Sequence, residues 1–121
     1  MEEGKKICSF QDLFCWKEAH ALALLIYKIT KNFPKEKMFG LTSQIRRASV
    51  SIVSNIAEGY GRPTGKDRIK FFWIAYGSLL EVESQVLIAK DLGYIREQKA
   101  NLQESIVKTG KLLLGLIKKT R

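Results

Sequence analysis

The chain has 121 residues, of which 45% are hydrophobic, so its size and composition fit one domain with one modest core. No apolar run approaches the roughly 18 residues of a membrane span, and the first ten residues lack the apolar segment of a secretory signal, so we expect a cytoplasmic protein with no membrane contact. The 21 basic and 12 acidic residues give a net charge of +9, which indicates an acidic partner such as nucleic acid. A basic domain that is merely soluble is the alternative.

Three segments that contain glycine or proline divide the chain into four helical segments. The breaks are NFPKEKMFG (32–40), GYGRPTG (59–65) and DLGYIRE (91–97). The segments between them lie at about 10–32, 40–60, 66–92 and 97–119. All four are longer than a typical strand and show no sustained period-two alternation. Short connections between long helices favour antiparallel neighbours, so the sequence predicts an all-α fold, an antiparallel up-and-down four-helix bundle, as a single domain over 1–121.

The two cysteines, Cys8 and Cys15, are predicted to be small apolar side chains of the core. On a helix their spacing of seven residues separates them by roughly 10 Å, which is too far for a disulfide. His20 is the only histidine, so Cys and His alone cannot build a zinc site within one chain. We expect no metal and no cofactor.

The second helix carries the most distinctive stretch of the chain, SIVSNIAEGYGR (51–62). On a helical wheel, apolar faces surround one line of polar side chains. In an antiparallel hairpin with the third helix, Arg46 and Arg47 come near acidic residues of that helix, and Glu58 comes near Arg62 and Arg68. We name these residues the polar seam; they are Arg46, Arg47, Ser51, Asn55, Glu58, Glu81 and Glu83.

We interpret the polar seam as interhelical contacts that fix the register of the second and third helices, because partly buried charges need partners. Asn55 is expected to make a specific hydrogen bond, since an unpaired buried amide is costly. A binding pocket is the alternative, and catalysis is the least supported, because no nucleophile–base pair is present. Gly59, Gly61 and Pro63 predict the end of the second helix, and Thr64 predicts the N-cap of the third.

Apolar residues cover more than one stripe on the first and the third helices, as the third helix illustrates. One stripe, at alternating steps of three and four, is Phe72, Ala75, Leu79, Val82, Val86 and Ala89. A second stripe beside it is Trp73, Tyr76, Leu80 and Leu87. A bundle helix needs one wide stripe, so the surplus indicates a second buried surface, most simply a homo-oligomer interface. An unusually wide core is the alternative.

The segments FGLTSQIRRASVSIVSNIAEGYGR (39–62) and GSLLEVESQVLIAKDLGYI (77–95) resemble the four-helix-bundle proteins of the S23, or 23S rRNA intervening-sequence, family. LFCWKEAHALALLIYKIT, which precedes them, also fits that family. The resemblance implies an up-and-down bundle that assembles as a ring-like homopentamer. It implies no enzymatic activity for this chain. It also implies a distant similarity to the accessory protein of diversity-generating retroelements, a basic pentamer that works with a reverse transcriptase and nucleic acid. Val53 stands where the family commonly has proline, which leaves open whether the second helix is kinked.

The predicted topology collects the excess charge at the two ends of the bundle. The end that joins the N-terminus, the 2–3 turn and the C-terminus has nine basic and three acidic residues, 9 − 3 = +6. The other end has 7 − 3 = +4, and the middle has 5 − 6 = −1. The more basic end includes Lys5 and Lys6 together with a set that we name the basic pole: Arg62, Lys66, Arg68, Lys70, Lys118, Lys119 and Arg121. End loops that are simply solvated and lysine-rich are the alternative.

The sequence favours a non-enzymatic, basic homo-oligomer that binds RNA or DNA, with structured RNA preferred, through phosphate contacts of the basic pole. It has no helix-turn-helix, zinc-finger or RNP signature, so we expect recognition of shape and phosphate. The second hypothesis is an oligomeric scaffold that docks a protein partner. An enzyme is a third and weaker hypothesis, because the sequence has no phosphate-binding loop, metal cluster or nucleophile–base pair.

Overall fold

A computed structural model describes residues 9–95 and 100–121, apart from the side chains of residues 38, 39 and 100, and the regular structure in these ranges is entirely helical. The four long helices are α1 (Phe14–Thr30), α2 (Ser43–Tyr60), α3 (Gly65–Asp91) and α4 (Ala100–Thr120). Each helix packs on its neighbour in the chain, and α4 packs on α1. This arrangement confirms the predicted all-α, up-and-down four-helix bundle. No helix in the described ranges combines the length and apolar character needed to cross a membrane.

The first two helices begin later than the sequence predicted. Ser9 caps a short 3₁₀ turn over Phe10–Asp12, and Leu13 is extended with φ −75° and ψ 129°, so α1 begins only at Phe14. A second 3₁₀ turn (Lys35–Lys37) and a π-helical turn (Met38–Thr42) precede α2. Gly40, with φ −113° and ψ −106°, interrupts helical geometry there, so the α-helix begins at Ser43.

The connection between α2 and α3 differs from its prediction at one glycine. The α2 helix continues past Gly59 to Tyr60, with Gly61 as its C-cap residue. The hydroxyl of Thr64 accepts a hydrogen bond from the Asp67 amide at 3.1 Å, which confirms the predicted N-cap of α3. The α2 helix also runs without interruption through Val53, so it has no kink at that position.

One hydrophobic core draws on all four helices. Cys15 belongs to it, as predicted, whereas Cys8 lies outside the described residues. The first apolar stripe of α3 is buried along its whole length. The second stripe lies mostly outside that core, because Trp73 is 44%, Leu80 49% and Leu87 52% exposed, whereas Tyr76 is half-buried and packs against it. The wide-core alternative is therefore wrong for α3, and its surplus of apolar side chains lies on the surface of the single chain.

Candidate nucleic-acid interface

The start of α3 and the end of α4 approach each other closely at one end of the bundle. A Cβ atom at Gly65 would lie 3.1 Å from the carbonyl oxygen of Thr120, tighter than ordinary van der Waals contact. A second close approach joins α2 to α3. A Cβ atom at Gly59 would lie 2.6 Å from Cε1 of Phe72, so only glycine lets that ring pack against α2. The two close approaches bring the segments 62–70 and 118–121 to the same end of the molecule.

Five side chains of the basic pole are exposed to solvent. They are Lys66, Lys70, Lys118, Lys119 and Arg121. Within residues 9–95 and 100–121, the ion pairs are Arg62–Glu58 and Lys108–Glu18, so no described carboxylate pairs with any of these five. Their charges are therefore available to an anionic ligand. Lys5 and Lys6, which the sequence also assigned to this end, lie outside the described residues.

The other two members of the basic pole, Arg62 and Arg68, are held in place by the protein. Arg62 donates to Glu58 Oε2 at 2.7 Å, and its guanidinium lies 4.4 Å from the centre of the Phe71 ring. Arg68 Nε donates to the carbonyl oxygen of Arg62 at 2.7 Å, a bond that uses only one of its five N–H donors. Arg68 is thus oriented while most of its donors stay free for a ligand.

Three helices, α2, α3 and α4, and Leu13 just before α1 line a groove at this end of the bundle, with a volume of about 620 Å³. We name it the pole groove; its lining residues are Leu13, Tyr60, Gly65, Arg68, Phe72, Leu116, Lys119 and Thr120. Its floor is apolar, because Phe72 is buried and Leu116 packs against the core. Arg68 and Lys119 place two cations at its border. An apolar floor with cations at the border suits a ligand that has both a flat apolar part and an anionic part.

Part of the polar seam joins α2 to α3 as predicted. The hydroxyls of Ser51 and Ser78 lie 2.8 Å apart across the two helices. Asn55 donates to the carbonyl oxygen of Ser51 at 2.8 Å and to its hydroxyl at 3.1 Å, which matches the expectation of a specific hydrogen bond. Glu58 pairs with Arg62, also as expected. The wheel of α2 alone missed Ser78, because a partner on the opposite helix appears only once the register is known.

The acidic partners proposed for Arg46 and Arg47 were wrong. Arg46 Nε donates to Thr30 Oγ1 at 2.8 Å, and its guanidinium lies 4.7 Å from the ring centre of Tyr27, so Arg46 faces α1. One residue along a helix is a rotation of 100°, enough to turn Arg46 away from α3. Arg47 is exposed, as is Glu81, whereas Glu83 is half-buried. In the described ranges none of Arg47, Glu81 and Glu83 forms an ion pair.

The described residues contain no group of three or more His, Cys, Asp or Glu side chains that could hold a metal ion. His20, the only histidine of the chain, is exposed and stacks on Trp16 with 4.8 Å between ring centres. The chemistry that the pole offers consists of cationic donors, aromatic rings and an apolar floor.

Fold and site together define an up-and-down four-helix bundle with a basic pole. A family model for the 23S rRNA-intervening sequence proteins matches residues 11–115, and the chain belongs to that family. The chain is similar to a crystal structure of a protein of unknown function from the S23 ribosomal protein family of Bacteroides thetaiotaomicron, with 26% identity and a TM-score of 0.77. The match covers 86% of this chain and 95% of the other. Among curated proteins, none is significantly similar to this chain.

Proposed function

We propose that this protein is a non-enzymatic, cytoplasmic homo-oligomer that binds nucleic acid, and structured RNA in preference to DNA, through phosphate contacts of the basic pole. One observation carries the proposal. The close approach of Gly65 to Thr120 joins the basic residues at the start of α3 to those at the end of α4 in one surface. A cluster of cations on one surface is the electrostatic requirement for binding a phosphate backbone.

The kind of cation at the basic pole also supports phosphate recognition. The exposed lysines lie on helix ends, where long side chains reach phosphates at several positions without a fixed base register. Contacts of this kind depend on shape and charge and little on sequence. The family is named for 23S rRNA, which adds weight to RNA as the polyanion.

Self-association is the second part of the proposal, and two outer faces of the bundle support it. Large apolar side chains stay exposed along the outer face of α3 and α4 and along that of α1 and α2. The first face carries Trp73, Leu80, Leu87, Val107 and Leu114; the second carries Leu24, Tyr27 and Val50. Since α1/α2 and α3/α4 lie on opposite sides of the bundle, the two unlike faces favour head-to-tail contacts that close into a ring. The family resemblance implies five chains in the ring. Five basic poles in one assembly would bind a polyanion with avidity.

The test of phosphate binding compares two variants with the same loss of charge. The first replaces the exposed lysines of the basic pole, Lys66, Lys70, Lys118 and Lys119, with alanine. The control replaces four exposed lysines at the other end, Lys28, Lys31, Lys35 and Lys37, with alanine. Affinity for a structured RNA is measured by fluorescence anisotropy at 0.1 M salt. It is expected to fall by about 10²-fold or more in the first variant, because each phosphate contact that is lost no longer releases counterions from the RNA. An equal fall of affinity in both variants would show that binding depends on the net charge of the protein and not on the basic pole, and would contradict the proposal.

A scaffold that docks a protein partner is the second candidate, and the same exposed apolar side chains favour it. A partner bound through Trp73 and Leu80 would resist moderate salt, because apolar contacts are not screened. Absence of RNA binding at 50 mM salt, together with a salt-resistant protein complex, would favour the scaffold over the nucleic-acid function.

A further inference from the structure

We propose that the outer groove between α1 and α4 holds an unpaired strand of nucleic acid that leaves a structured region bound at the basic pole. This inference rests on the proposed function and adds to it a ligand class and a second binding surface. Lys17, Lys108 and Lys111 of this surface had been assigned by the sequence to the nearly neutral middle of the bundle, whereas Lys119 belongs to the basic pole as well. We name this surface the α1/α4 track; its residues are Phe14, Lys17, Glu18, Lys108, Lys111, Leu112, Gly115, Leu116 and Lys119.

The α1/α4 track is a series of three hollows that share lining residues. The pole groove and the next hollow, of about 180 Å³, have Leu13, Leu116 and Lys119 in common. That hollow shares Leu112 with a third one, of about 370 Å³, which Phe14 and Lys108 also line. From residue 108 to residue 119, α4 rises about 16 Å. This length accommodates about four or five nucleotides at the roughly 3.4 Å spacing of one stacked strand.

Cations border the α1/α4 track along its whole length. Lys108, Lys111 and Lys119 of α4 are exposed, and Lys17 of α1 faces them across the third hollow. Lys111, Gly115 and Lys119 follow one another at four-residue steps on one line of the helix. Nothing lies within 4 Å of a Cβ atom placed at Gly115, so the line of side chains is open there. The opening gives a ligand access to the apolar floor between two cations.

The one carboxylate of the track is neutralised by its neighbours. Glu18 accepts a hydrogen bond from the Ser105 hydroxyl at 2.9 Å and lies 3.5 Å from Lys108 Nζ. Its side chain is only 20% exposed, whereas that of Lys108 is 67% exposed. Glu18 therefore orients Lys108 from below, and the ammonium group remains open to a phosphate.

An aromatic ring and an apolar floor lie beside these cations. Phe14 is 41% exposed, and the Lys17 ammonium lies 5.7 Å from the centre of its ring. Leu112 and Leu116 are half-buried and form the floor. Surfaces that bind single strands combine a cationic groove with aromatic side chains on which bases stack.

The pairing of an apolar floor with cations favours an unpaired strand over a duplex. A duplex presents its phosphates outward and keeps its bases stacked inside, so Leu112, Leu116 and Phe14 would gain nothing from it. The exposed apolar side chains proposed for self-association, such as Leu24, Leu80 and Leu87, lie on the α1/α2 and α3/α4 faces, so assembly through those faces leaves the track open.

The test uses two RNA probes, a blunt-ended duplex and the same duplex with an unpaired extension of five uridines at one end. The wild-type protein is expected to bind the extended probe at least about fivefold more tightly, the gain expected for one stacked base. In the Lys108→Ala/Lys111→Ala variant that preference disappears, while affinity for the blunt duplex changes by less than twofold. The matched control, Lys35→Ala/Lys37→Ala, has the same loss of charge at the other end of the bundle and keeps the preference.

A second pair of variants tests the aromatic contact. Phe14→Leu keeps an apolar side chain but removes the ring, and it is expected to lose most of the preference for the extended probe. Phe14→Tyr is its control, because it keeps an aromatic ring at the same exposed position, and it is expected to keep the preference. A 4-thiouridine in the extension is expected to crosslink to Phe14 or Leu112 of the wild-type protein.

Equal affinity of the wild-type protein for the two probes, or loss of the preference in the control variants as well, would overturn the α1/α4 track. In that case, salt-sensitive binding of the blunt duplex would leave the proposed function standing. Failure of the wild-type protein to bind either probe at 50 mM salt would contradict both the proposed function and the α1/α4 track.

Discussion

At the scale of single residues, two glycines shape the functional end of the bundle. Gly59 makes space for the ring of Phe72, which forms the floor of the pole groove, and Gly65 lets α3 approach the end of α4. Neither position has positive φ, so the requirement is space and not backbone conformation. The usual reason for glycine near a helix end, a left-handed C-cap, does not apply to Gly59.

Gly59→Ala is expected to destabilise the protein. The added Cβ would lie 2.6 Å from Phe72 Cε1, so the ring or α2 must shift; overpacking of this kind costs about 1–3 kcal/mol. Gly115→Ala is the matched control. It places a Cβ in open space within a helix and is expected to stabilise by up to about 1 kcal/mol. Urea unfolding monitored by circular dichroism measures both, and a Gly59→Ala variant as stable as the wild type would contradict the close approach.

At the scale of the helices, α2 and α3 are aligned by a small polar contact and not by the ion pairs that the sequence suggested. Ser51 and Ser78 meet across the two helices, and Asn55 holds Ser51 from within α2. Arg47 and Glu81 are exposed, where ion pairs add little to stability. The register therefore depends on hydroxyl and amide groups at the helix interface.

A double-mutant cycle distinguishes the two kinds of contact. Ser51→Ala and Ser78→Ala are expected to be coupled by about 0.5–1.5 kcal/mol of unfolding free energy, the net contribution of one hydrogen bond. Arg47→Ala and Glu81→Ala, measured in the same way, are expected to show coupling near zero. A larger coupling for the charged pair than for the serine pair would restore the original interpretation of the polar seam.

The helix count and order could be predicted from sequence, because each helix has a 3.6-residue apolar period and each break contains glycine or proline. Helix starts were less well predicted: the capping box between Ser9 and Asp12 is a local signal for the 3₁₀ turn before Leu13 that the sequence analysis missed, and Gly40 interrupts the helix just before α2. The basic pole could be predicted from topology alone. The lysines of the α1/α4 track could not be predicted in this way. The charge was counted by position along the bundle axis, and such a count combines Lys108 with acidic residues that lie on other faces.

At the scale of the whole molecule, the two apolar faces are separate from the two cationic surfaces, which adjoin each other at Lys119. Apolar side chains occupy the α1/α2 and α3/α4 faces, cations occupy the basic pole, and the α1/α4 track lies between the two apolar faces. A ring formed through the apolar faces would place its basic poles together and leave each track accessible. Assembly and ligand binding can therefore be disrupted separately.

Substitutions on the two apolar faces test head-to-tail assembly. Leu80→Glu and Leu24→Glu each place a charge on one face. If the protein forms the proposed ring of five chains of 13.8 kDa, each variant is expected to be a single chain in native mass spectrometry. Mixing the two variants is expected to restore one junction and form a dimer, because each variant keeps one intact face. Dimers of Leu24→Glu alone would instead indicate a two-fold contact of the α3/α4 face with itself.

The measurement that tests the central claim most directly is the salt dependence of wild-type binding to a structured RNA between 50 and 200 mM salt. If most of the seven cations of the basic pole contact phosphates, affinity is expected to fall by about 10³-fold or more over that range, through counterion release. Binding that is tight at both salt concentrations would contradict recognition of phosphate by the basic pole, as would no detectable binding at 50 mM.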